Sequence, residues 1–265
     1  METRLITLTT DFGYKDPFVG IMKGVIFGIN ANANVIDLTH GIPPQDLMAG
    51  ALALRHSFPF FPTETIHVAV VDPGVGTERR PLLIQSKDCF FIGPDNGILS
   101  LVLAGEEPRR IIQLSNETYH LRPNSGTFHG RDIFAPVAGY LSLGIPPQDF
   151  GVQVEGFEIL SWPKVVKTGC SIQGEIIYVD GYGNLVTNVK EHDLEGIAPE
   201  DLMLSLGNLT VRGLARNYAS GGGKDYVLLI NSWGLLEISS FKGNAHLGSG
   251  GKIGDIILIR DRQKA

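Results

Sequence analysis

The sequence predicts an α/β amino-terminal domain, with a mostly parallel sheet between helices, followed by a carboxyl-terminal antiparallel β-barrel or sandwich. Short β-branched runs alternate with helix-like stretches from Arg4 to about Gly144, a pattern typical of parallel sheets covered by helices. Beyond residues 161–164, strand-like runs lie between glycine turns, and helical periodicity is nearly absent. We therefore expect two domains, residues 1–162 and 163–265.

The first domain is predicted to alternate short strands with longer helices. The expected strands are residues 5–9, 35–38, 66–71, 82–84 and 90–92, and the last two are expected to pair with each other. The expected helices are residues 18–29, 44–56, 98–104 and 133–143, the second of them opened by two prolines. The expected strands of the second domain are residues 172–179, 185–189, 202–206, 209–214, 227–230, 235–239 and 256–259.

The composition narrows the class of protein. With 43% hydrophobic and 19% charged residues, the 265-residue chain is too apolar for a disordered protein and too charged for a membrane protein. Its 22 basic and 28 acidic residues give a net charge of -6, which argues against a nucleic-acid binder. The amino terminus lacks the pattern of a signal peptide, and the two cysteines, Cys89 and Cys170, have no CxxC spacing. We expect a cytoplasmic protein with no membrane or nucleic-acid partner.

A carboxylate follows the first predicted strand, in the segment Thr9-Thr10-Asp11-Phe12-Gly13. Ligands bind at the carboxyl ends of strands in open α/β sheets, and an ionised carboxylate there can accept hydrogen bonds from a vicinal diol such as a ribose. The alternative is that Asp11 only caps the following helical region. The Asp-Phe-Gly triplet does not indicate a kinase, because the other kinase motifs are missing.

A second carboxylate, Asp72, follows the predicted strand 66–71 and begins a compact loop that ends in Arg79 and Arg80. This loop does not have the spacing of a Walker phosphate-binding loop, and neither does the glycine-rich segment 221–224. The alternative interpretation is a surface ion pair between Asp72 and an arginine.

A histidine, His129, lies between small or flexible neighbours just before the predicted helix 133–143. An imidazole in this position can point into a cleft, whereas Asp132 could simply cap the helix. The remaining histidines show neither HExxH nor a paired metal-ligand spacing, so we expect no metal site.

The second domain contains two polar segments that interrupt apolar runs. Residues 179–188, Val-Asp-Gly-Tyr-Gly-Asn-Leu-Val-Thr-Asn, are typical of a plain hairpin with glycine at positive φ. Residues 230–238, Ile-Asn-Ser-Trp-Gly-Leu-Leu-Glu-Ile, are compatible with a β-bulge. What favours a functional role for these two segments is that they occur in the same chain as the three amino-terminal motifs around Asp11, Asp72 and His129.

Together these segments resemble the S-adenosyl-L-methionine (SAM) hydrolases, or SAM hydroxide adenosyltransferases, which are relatives of the fluorinases and chlorinases. The resemblance covers nearly the whole chain. Its motifs, in order, are TLTTDFG with DPFVGIMKGVI, VIDLTHGIPP, VAVVDPGVGTERR, FIGPDNGILS, FHGRDIFAPVAG, VDGYGNLVTN, and NSWGLLEIS with GNAHLG. The resemblance implies an α/β domain followed by a β-domain, and a homotrimer with active sites between the amino-terminal domain of one subunit and the carboxyl-terminal domain of the next.

The resemblance also implies roles for individual residues. Asp11 resembles the carboxylate that binds the ribose hydroxyls. Asp72, Arg79 and His129 resemble the set that positions the attacking water, with Arg79 preferred to Arg80 because it lies seven positions after the aspartate. The residues expected to hold the methionine part and the nucleoside, with Glu237 near the adenine edge, are Asp180, Tyr182, Asn184, Ser232 and Glu237.

The implied activity is hydrolysis of SAM to adenosine and L-methionine, with SAM as substrate and no cofactor. One alternative is SAM-dependent halogenation, which the water-positioning set opposes, because a halide site needs desolvation and hydrogen-bond donors rather than a nearby carboxylate. Trp233 stands where the halogenating relatives have an arginine, so recognition of the methionine carboxylate is expected to differ from that branch. The short connection between Phe91 and Pro108 also leaves no room for the extra loop of the fluorinase. The other alternative is a nucleoside-binding protein without catalytic activity.

Overall fold

The computed structural model describes residues 4–103, 107–169, 171–221 and 225–264. The chain divides into two compact units, Met1–Leu160 and Ser161–Ala265. Cys170, residues 222–224 of the glycine-rich segment and Ala104 at the end of a predicted helix lie outside the described residues.

The first unit contains a seven-stranded mixed sheet in the order β2-β1-β3-β5-β4-β6-β7. The strands are β1 Leu5–Thr10, β2 Asn34–Thr39, β3 Ile66–Val70, β4 Pro81–Gln85, β5 Phe90–Pro94, β6 Arg110–Gln113 and β7 Val152–Gln153. Strands β2, β1, β3 and β5 pair in parallel, and the other three pairings are antiparallel. The expectation of a mostly parallel sheet therefore holds only for its first four strands, because the predicted strands 82–84 and 90–92 form an antiparallel hairpin.

The helices of the first unit are α1 Phe18–Ile29, α2 Leu47–Ser57 and α3 Ala135–Ser142. A π-helical turn at Gly130–Phe134 leads into α3, and shorter 3-10 turns lie at Phe58–Phe60, Leu101–Leu103, Glu117–Tyr119 and Pro147–Phe150. Helix α1 buries Val19, Met22 and Ile26, which share one face at helical spacing. Met22 and Ile26 join Ile6 and Leu8 of β1 in the main core.

The predicted helix 133–143 begins within the π-helical turn Gly130–Phe134 and continues as α3 Ala135–Ser142. Two other helix predictions differ more from the structure. Helix α2 begins at Leu47 rather than at Pro44, because Gln45 has a left-handed φ of 67° and Asp46 then caps the helix by accepting the Ala49 N–H at 2.9 Å. The predicted helix 98–104 is replaced, within the described residues, by the 3-10 turn Leu101–Leu103. Its N–H groups bond three residues back, as from Leu103 to Ser100 at 3.4 Å.

The second unit is built on an antiparallel sheet. Its strands are β8 Val166–Thr168, β9 Ser171–Val179, β10 Leu185–Lys190, β11 Leu202–Leu206, β12 Leu209–Arg212, β13 Val227–Ile230, β14 Leu235–Ser239 and β15 Ile256–Asp261. The order is β12-β11-β15-β9-β10-β14-β13, with β8 paired to β9, and a bridge between Leu214 and Leu228 nearly closes the sheet. Helix α4 Ala245–Ser249 and 3-10 turns at Glu191–Leu194, Pro199–Asp201 and Tyr218–Gly221 complete the unit.

Candidate active site

A cavity of about 830 Å³ lies where loops following β1 and β3 approach the segment before α3. Carboxyl ends of neighbouring parallel strands meet at one edge of a sheet, and ligands bind at such edges. The wall is formed by four segments, which contribute Asp11, Phe12, Asp16 and Phe18; Pro44 and Gln45; Val70, Asp72, Pro73 and Val75; and Ser125, Thr127, Phe128, His129, Gly130 and Arg131. Three of the predicted site residues, Asp11, Asp72 and His129, are therefore brought to one cavity.

Asp72 and Arg79 form a paired contact within the loop after β3. The Arg79 Nε–H donates to Oδ1 of Asp72 at 3.0 Å, and Nη2 donates to Oδ2 in a short contact. The two side chains are only 8% and 6% exposed, for Arg79 and Asp72 respectively. This pair is therefore not the surface ion pair of the alternative interpretation, because a bidentate contact in a desolvated setting holds both groups in one geometry.

His129 is joined to the same guanidinium. Nη2 of Arg79 lies 2.6 Å from Nδ1 of His129. Since a guanidinium has donors and no acceptor, Nδ1 of His129 must accept this hydrogen bond. The neutral ring therefore carries its proton on Nε2, and protonating Nδ1 would set two donors against each other.

The ionisation of His129 follows from the same surroundings. Burial lowers the pKa of His129 below its ordinary value, and the Arg79 cation lowers it further, against the opposing charges of Asp72 and Asp132. The neutral imidazole is thus the favoured form near neutral pH. Arg79 keeps a further buried donor, Nη1, that has no hydrogen-bond partner among the described residues.

Asp11 is held by the loop before α2. Its Oδ2 accepts the backbone N–H of Gln45 at 2.8 Å. Gln45 adopts φ 67°, an uncommon conformation for a residue with a side chain. The alternative role of Asp11 as a helix cap is not observed, because α1 starts after Pro17 without a side-chain cap.

An aromatic wall beside these polar groups was not predicted from the sequence. The rings of Phe12, Phe18 and Phe128 pack pairwise with centroids 5.3 to 5.8 Å apart. The Arg131 guanidinium lies over the Phe128 ring at 5.4 Å and is also paired with buried Asp132. The phenylalanines neighbour Asp11 and His129 in the motifs, but no spacing in the sequence links them to one another.

The polar segment 179–188 of the second unit is a hairpin between β9 and β10, as its composition predicts. Oδ1 of Asp180 accepts the N–H groups of Tyr182 and Asn184 at 2.9 Å, and Oδ2 accepts from the Asn184 amide at 2.8 Å. Gly183 has φ 81°, and a Cβ there would lie 2.2 Å from the Asn244 side chain, so glycine is required. The Tyr182 ring at the tip is 82% exposed.

The segment 230–238 forms a hairpin between β13 and β14. Strands β13 and β14 pair without a register shift, and Oδ1 of Asn231 accepts the N–H groups of Trp233 and Leu235 across the turn. Ser232 is exposed in this turn. The polar residues 231–234 therefore form a tight turn that Asn231 organises. A register shift does occur on the other side of β14, where its pairing with β10 changes between Val186 and Lys190.

Glu237 lies in β14 and is 3% exposed. Its carboxylate accepts hydrogen bonds from Ser239 Oγ at 2.5 Å, Asn231 Nδ2 at 3.1 Å and Tyr218 Oη at 3.2 Å. Burial, together with the charge and hydrogen bond of Glu237, raises the pKa of Tyr218 to about 12. Glu237 is thus a buried side chain with three hydrogen-bond donors around it, which distinguishes it from the exposed Tyr182 and Ser232.

Two negative findings concern only the residues that the structure describes. No group of three or more histidine, cysteine, aspartate or glutamate side chains among them could hold a metal ion. No helix in the same residues is long and apolar enough to cross a membrane.

The structure is that of a protein with an α/β unit and a β unit, in which a carboxylate, a guanidinium and an imidazole lie together at a cavity of a size typical of small-molecule sites. The chain belongs to the SAM hydroxide adenosyltransferase family. The amino-terminal domain model of this family matches residues 6–151, and the carboxyl-terminal domain model matches residues 174–258.

Individual relatives agree with this family assignment. An (R)-S-adenosyl-L-methionine hydrolase of Methanocaldococcus jannaschii is 35% identical over 253 residues, which cover 91% of this chain and 90% of the relative. One of Thermus thermophilus is 33% identical, with coverages of 95% and 97%. A fluorinase of an Actinoplanes species is more distant, at 26% identity over 89% of this chain and 90% of the relative.

The fold is shared with a solved structure of an uncharacterized conserved protein from Thermotoga maritima. That structure superposes with a TM-score of 0.90 at 33% identity and covers 97% of this chain and 100% of its own.

The cavity depends on a close backbone approach at Gly76. A Cβ on Gly76, which has φ 80°, would lie 2.3 Å from the carbonyl oxygen of Gly126, so the loops carrying Asp72 and His129 would have to separate. We expect Gly76→Ala to destabilise the protein by about 1–3 kcal/mol, measured by thermal unfolding. Hydrogen exchange should also become faster in residues 125–131.

The matched control is Gly126→Ala, because a Cβ on Gly126 meets nothing within 4 Å. Equal effects of the two substitutions would contradict the importance of this approach.

Proposed function

We propose that this protein hydrolyses S-adenosyl-L-methionine to adenosine and L-methionine. The observation that carries the proposal is the array in which Arg79 joins Asp72 to His129 beside the cavity that also contains Asp11. The similarity to relatives named (R)-S-adenosyl-L-methionine hydrolase, with coverage above 90% of this chain, supports the same reaction.

The chemistry of the substrate defines what the protein has to supply. The sulfonium makes C5′ of the ribose electrophilic, and methionine leaves as a neutral thioether. The leaving group therefore needs no acid and the reaction needs no cofactor. What remains is to hold one water in line behind C5′, and positioning of this kind contributes on the order of 7–11 kcal/mol when the geometry is near attack.

Asp11 is the proposed ribose ligand. The Gln45 N–H orients Oδ2 of its carboxylate. A carboxylate has about four acceptor sites, so Asp11 retains the capacity to accept from both ribose hydroxyls. The aromatic wall of Phe12, Phe18 and Phe128 supplies apolar surface for the remainder of the substrate.

Asp72 and His129 are the proposed ligands of the water, with opposite roles. Asp72 accepts a hydrogen bond from the water and takes up the developing proton, while the His129 Nε2–H donates to the water oxygen. His129 is therefore an orienting donor rather than the base, because Arg79 occupies Nδ1 as a donor. The largely buried side chain of Arg79 holds both Asp72 and His129 in position.

The reaction balances in one displacement step. The C5′–O bond forms as the C5′–S bond breaks, and the electron pair of the broken bond goes to sulfur. The proton released by the attacking water passes through Asp72 to solvent.

The second unit supplies the proposed contacts to the methionine part and the nucleoside. We propose Tyr182 as the residue that stacks on the nucleoside, since its ring is largely exposed. Asp180 and Asn184 would act by stabilising the hairpin that carries Tyr182. The exposed hydroxyl of Ser232 would donate a hydrogen bond to the ligand. Tyr218 and Asn231 both donate hydrogen bonds to the Glu237 carboxylate. Glu237 would therefore influence the adenine indirectly, by holding these two side chains in place.

We further propose a homotrimer with active sites between subunits, based on the family resemblance. A cytoplasmic location is proposed because two cysteines in 265 residues suit a reducing compartment.

Incubation of the purified protein with SAM should yield adenosine and methionine in equal amounts, detected by chromatography. Asp72→Ala should lower kcat at least about a hundredfold through loss of water positioning, with adenosine binding retained. Asp11→Ala should weaken adenosine binding at least about tenfold, measured by calorimetry. If no adenosine forms even at high enzyme concentration, the proposed hydrolysis is wrong.

The control for these variants is Asp88→Ala, which removes an exposed carboxylate outside the cavity. Formation of 5′-chloro-5′-deoxyadenosine in excess chloride would indicate halogenation instead. Adenosine binding without SAM consumption would indicate a non-catalytic binding protein.

The role of His129 is tested by the pair His129→Gln and His129→Ala. The glutamine amide can donate at the position of Nε2 but cannot act as a base, so we expect His129→Gln to lose no more than about tenfold in kcat. His129→Ala lacks the donor and should lose about a hundredfold. If both variants lose activity equally, a base role for His129 is the better explanation.

The shared site is tested by mixing two inactive variants. Analytical ultracentrifugation should give a mass three times the 28.7 kDa of one chain. Asp72→Ala and Tyr182→Ala subunits, unfolded and refolded together, should regain activity, because some sites then combine an intact first unit with an intact second unit. No recovery, with each variant folded and trimeric, would show that both parts of a site come from one subunit.

A further inference from the structure

A polar cluster with a buried centre, which the proposed mechanism does not use, lies next to the Asp11 loop. It consists of Thr10 at the end of β1, His40 after β2, Asp37 in β2 and Lys23 in α1. Thr10 and His40 are 0% and 1% exposed. Burying a polar group lowers the stability of the folded state unless the group is hydrogen-bonded. A buried polar pair at this position is therefore expected to have a structural or functional role.

Thr10 and His40 hold the backbone on both sides of Asp11. The Thr10 hydroxyl shares a hydrogen bond of 2.7 Å with Nδ1 of His40 and accepts the Phe12 N–H at 3.2 Å. The Gly13 N–H donates to the carbonyl oxygen of His40 at 2.8 Å. The two residues after Asp11 are therefore both tied to the Thr10–His40 pair.

The far side of His40 is anchored to α1 through Asp37. Nε2 of His40 lies 3.0 Å from Oδ1 of Asp37, and Lys23 Nζ donates to Oδ2 at 2.7 Å. Burial opposes the ionisation of Asp37, but the contacts with Lys23 and His40 outweigh it and lower the pKa of this carboxyl. The cluster thus links the Asp11 loop to two regular elements, β2 and α1.

We propose that Thr10 and His40 are positioning residues that fix the place of Asp11 and thereby set the affinity of the cavity for a ribose diol. This inference rests on the proposed function, in which Asp11 binds the ribose. Gln45 orients the Asp11 carboxylate from one side, and the Thr10–His40 pair holds its backbone from the other.

The same strand provides an internal control. Thr7 of β1 shares a hydrogen bond of 2.8 Å with Nδ1 of His67, and both residues are 0% exposed. His67 packs against Phe58, Phe61 and Phe91 rather than against a loop of the cavity. Loss of the Thr7 hydroxyl removes a similar buried hydrogen bond without reaching Asp11.

The test compares Thr10→Val, Thr10→Ser and Thr7→Val in the full-length protein. Valine keeps the shape of threonine but loses the hydroxyl, whereas serine keeps the hydroxyl. We expect Thr10→Val to raise the Kd for adenosine and the KM for SAM about five- to tenfold, the effect of one or two lost hydrogen bonds, with kcat changed less than about twofold. Thr10→Ser should bring both constants back to within about twofold of the wild-type protein.

Hydrogen exchange provides a readout that needs no ligand. Backbone exchange at residues 11–13 should become faster in Thr10→Val and remain unchanged in Thr7→Val, although both variants should unfold at a lower temperature. Thermal unfolding of each variant verifies that it is folded.

The results separate this inference from the proposed function. If the wild-type protein binds adenosine but does not consume SAM, the proposed hydrolysis fails, and the adenosine Kd values still decide the role of Thr10. Equal changes in Thr10→Val and Thr7→Val, or an unchanged Kd in Thr10→Val, would overturn the inference. If the wild-type protein neither binds adenosine nor consumes SAM, the inference falls with the proposed function.

Discussion

The candidate site depends on one buried guanidinium. Arg79 has only donors, and it directs them to a carboxylate on one side and an imidazole on the other. The ion pair and the imidazole tautomer therefore have a single cause. A lysine could not provide this planar geometry, because its ammonium is a point charge without a fixed fork of donors. Asp72 and His129, which act on the same water in the proposed reaction, are thus complementary: one accepts and the other donates.

The backbone around this array is as specific as the side chains. Gly76 allows two loops to approach to a distance that a Cβ would prevent. Gln45 adopts a left-handed conformation that presents its N–H to Asp11. Backbone strain of this kind is retained where the surrounding structure holds the chain in place. At Gln45 the cap of α2 by the adjacent Asp46 provides that support.

The local pattern of apolar and polar residues predicted which helices and strands exist better than it predicted where they begin and end. Helix α1 was predicted at residues 18–29 and occurs as Phe18–Ile29, because its buried positions follow helical spacing. The start of α2 was wrong, since two prolines suggest a first helical turn while the conformation of Gln45 delays it. The pairing of residues 82–84 with residues 90–92 was expected and occurs between β4 and β5. Strand β6 and its place beside β4 were not predicted, because strand pairing is decided by contacts between distant residues rather than by local propensity.

By itself, the sequence determined the residue types that can do the chemistry, the order of the motifs and hence the family. Only the tertiary structure decided which donors and acceptors meet. It gives Asp11 the Gln45 N–H rather than a helix, brings His129 to Arg79 across 50 positions of the chain, and encloses Glu237 with three donors. The physical reason is that hydrogen bonds depend on distance and direction in space, and spacing along the chain specifies neither for residues in separate loops.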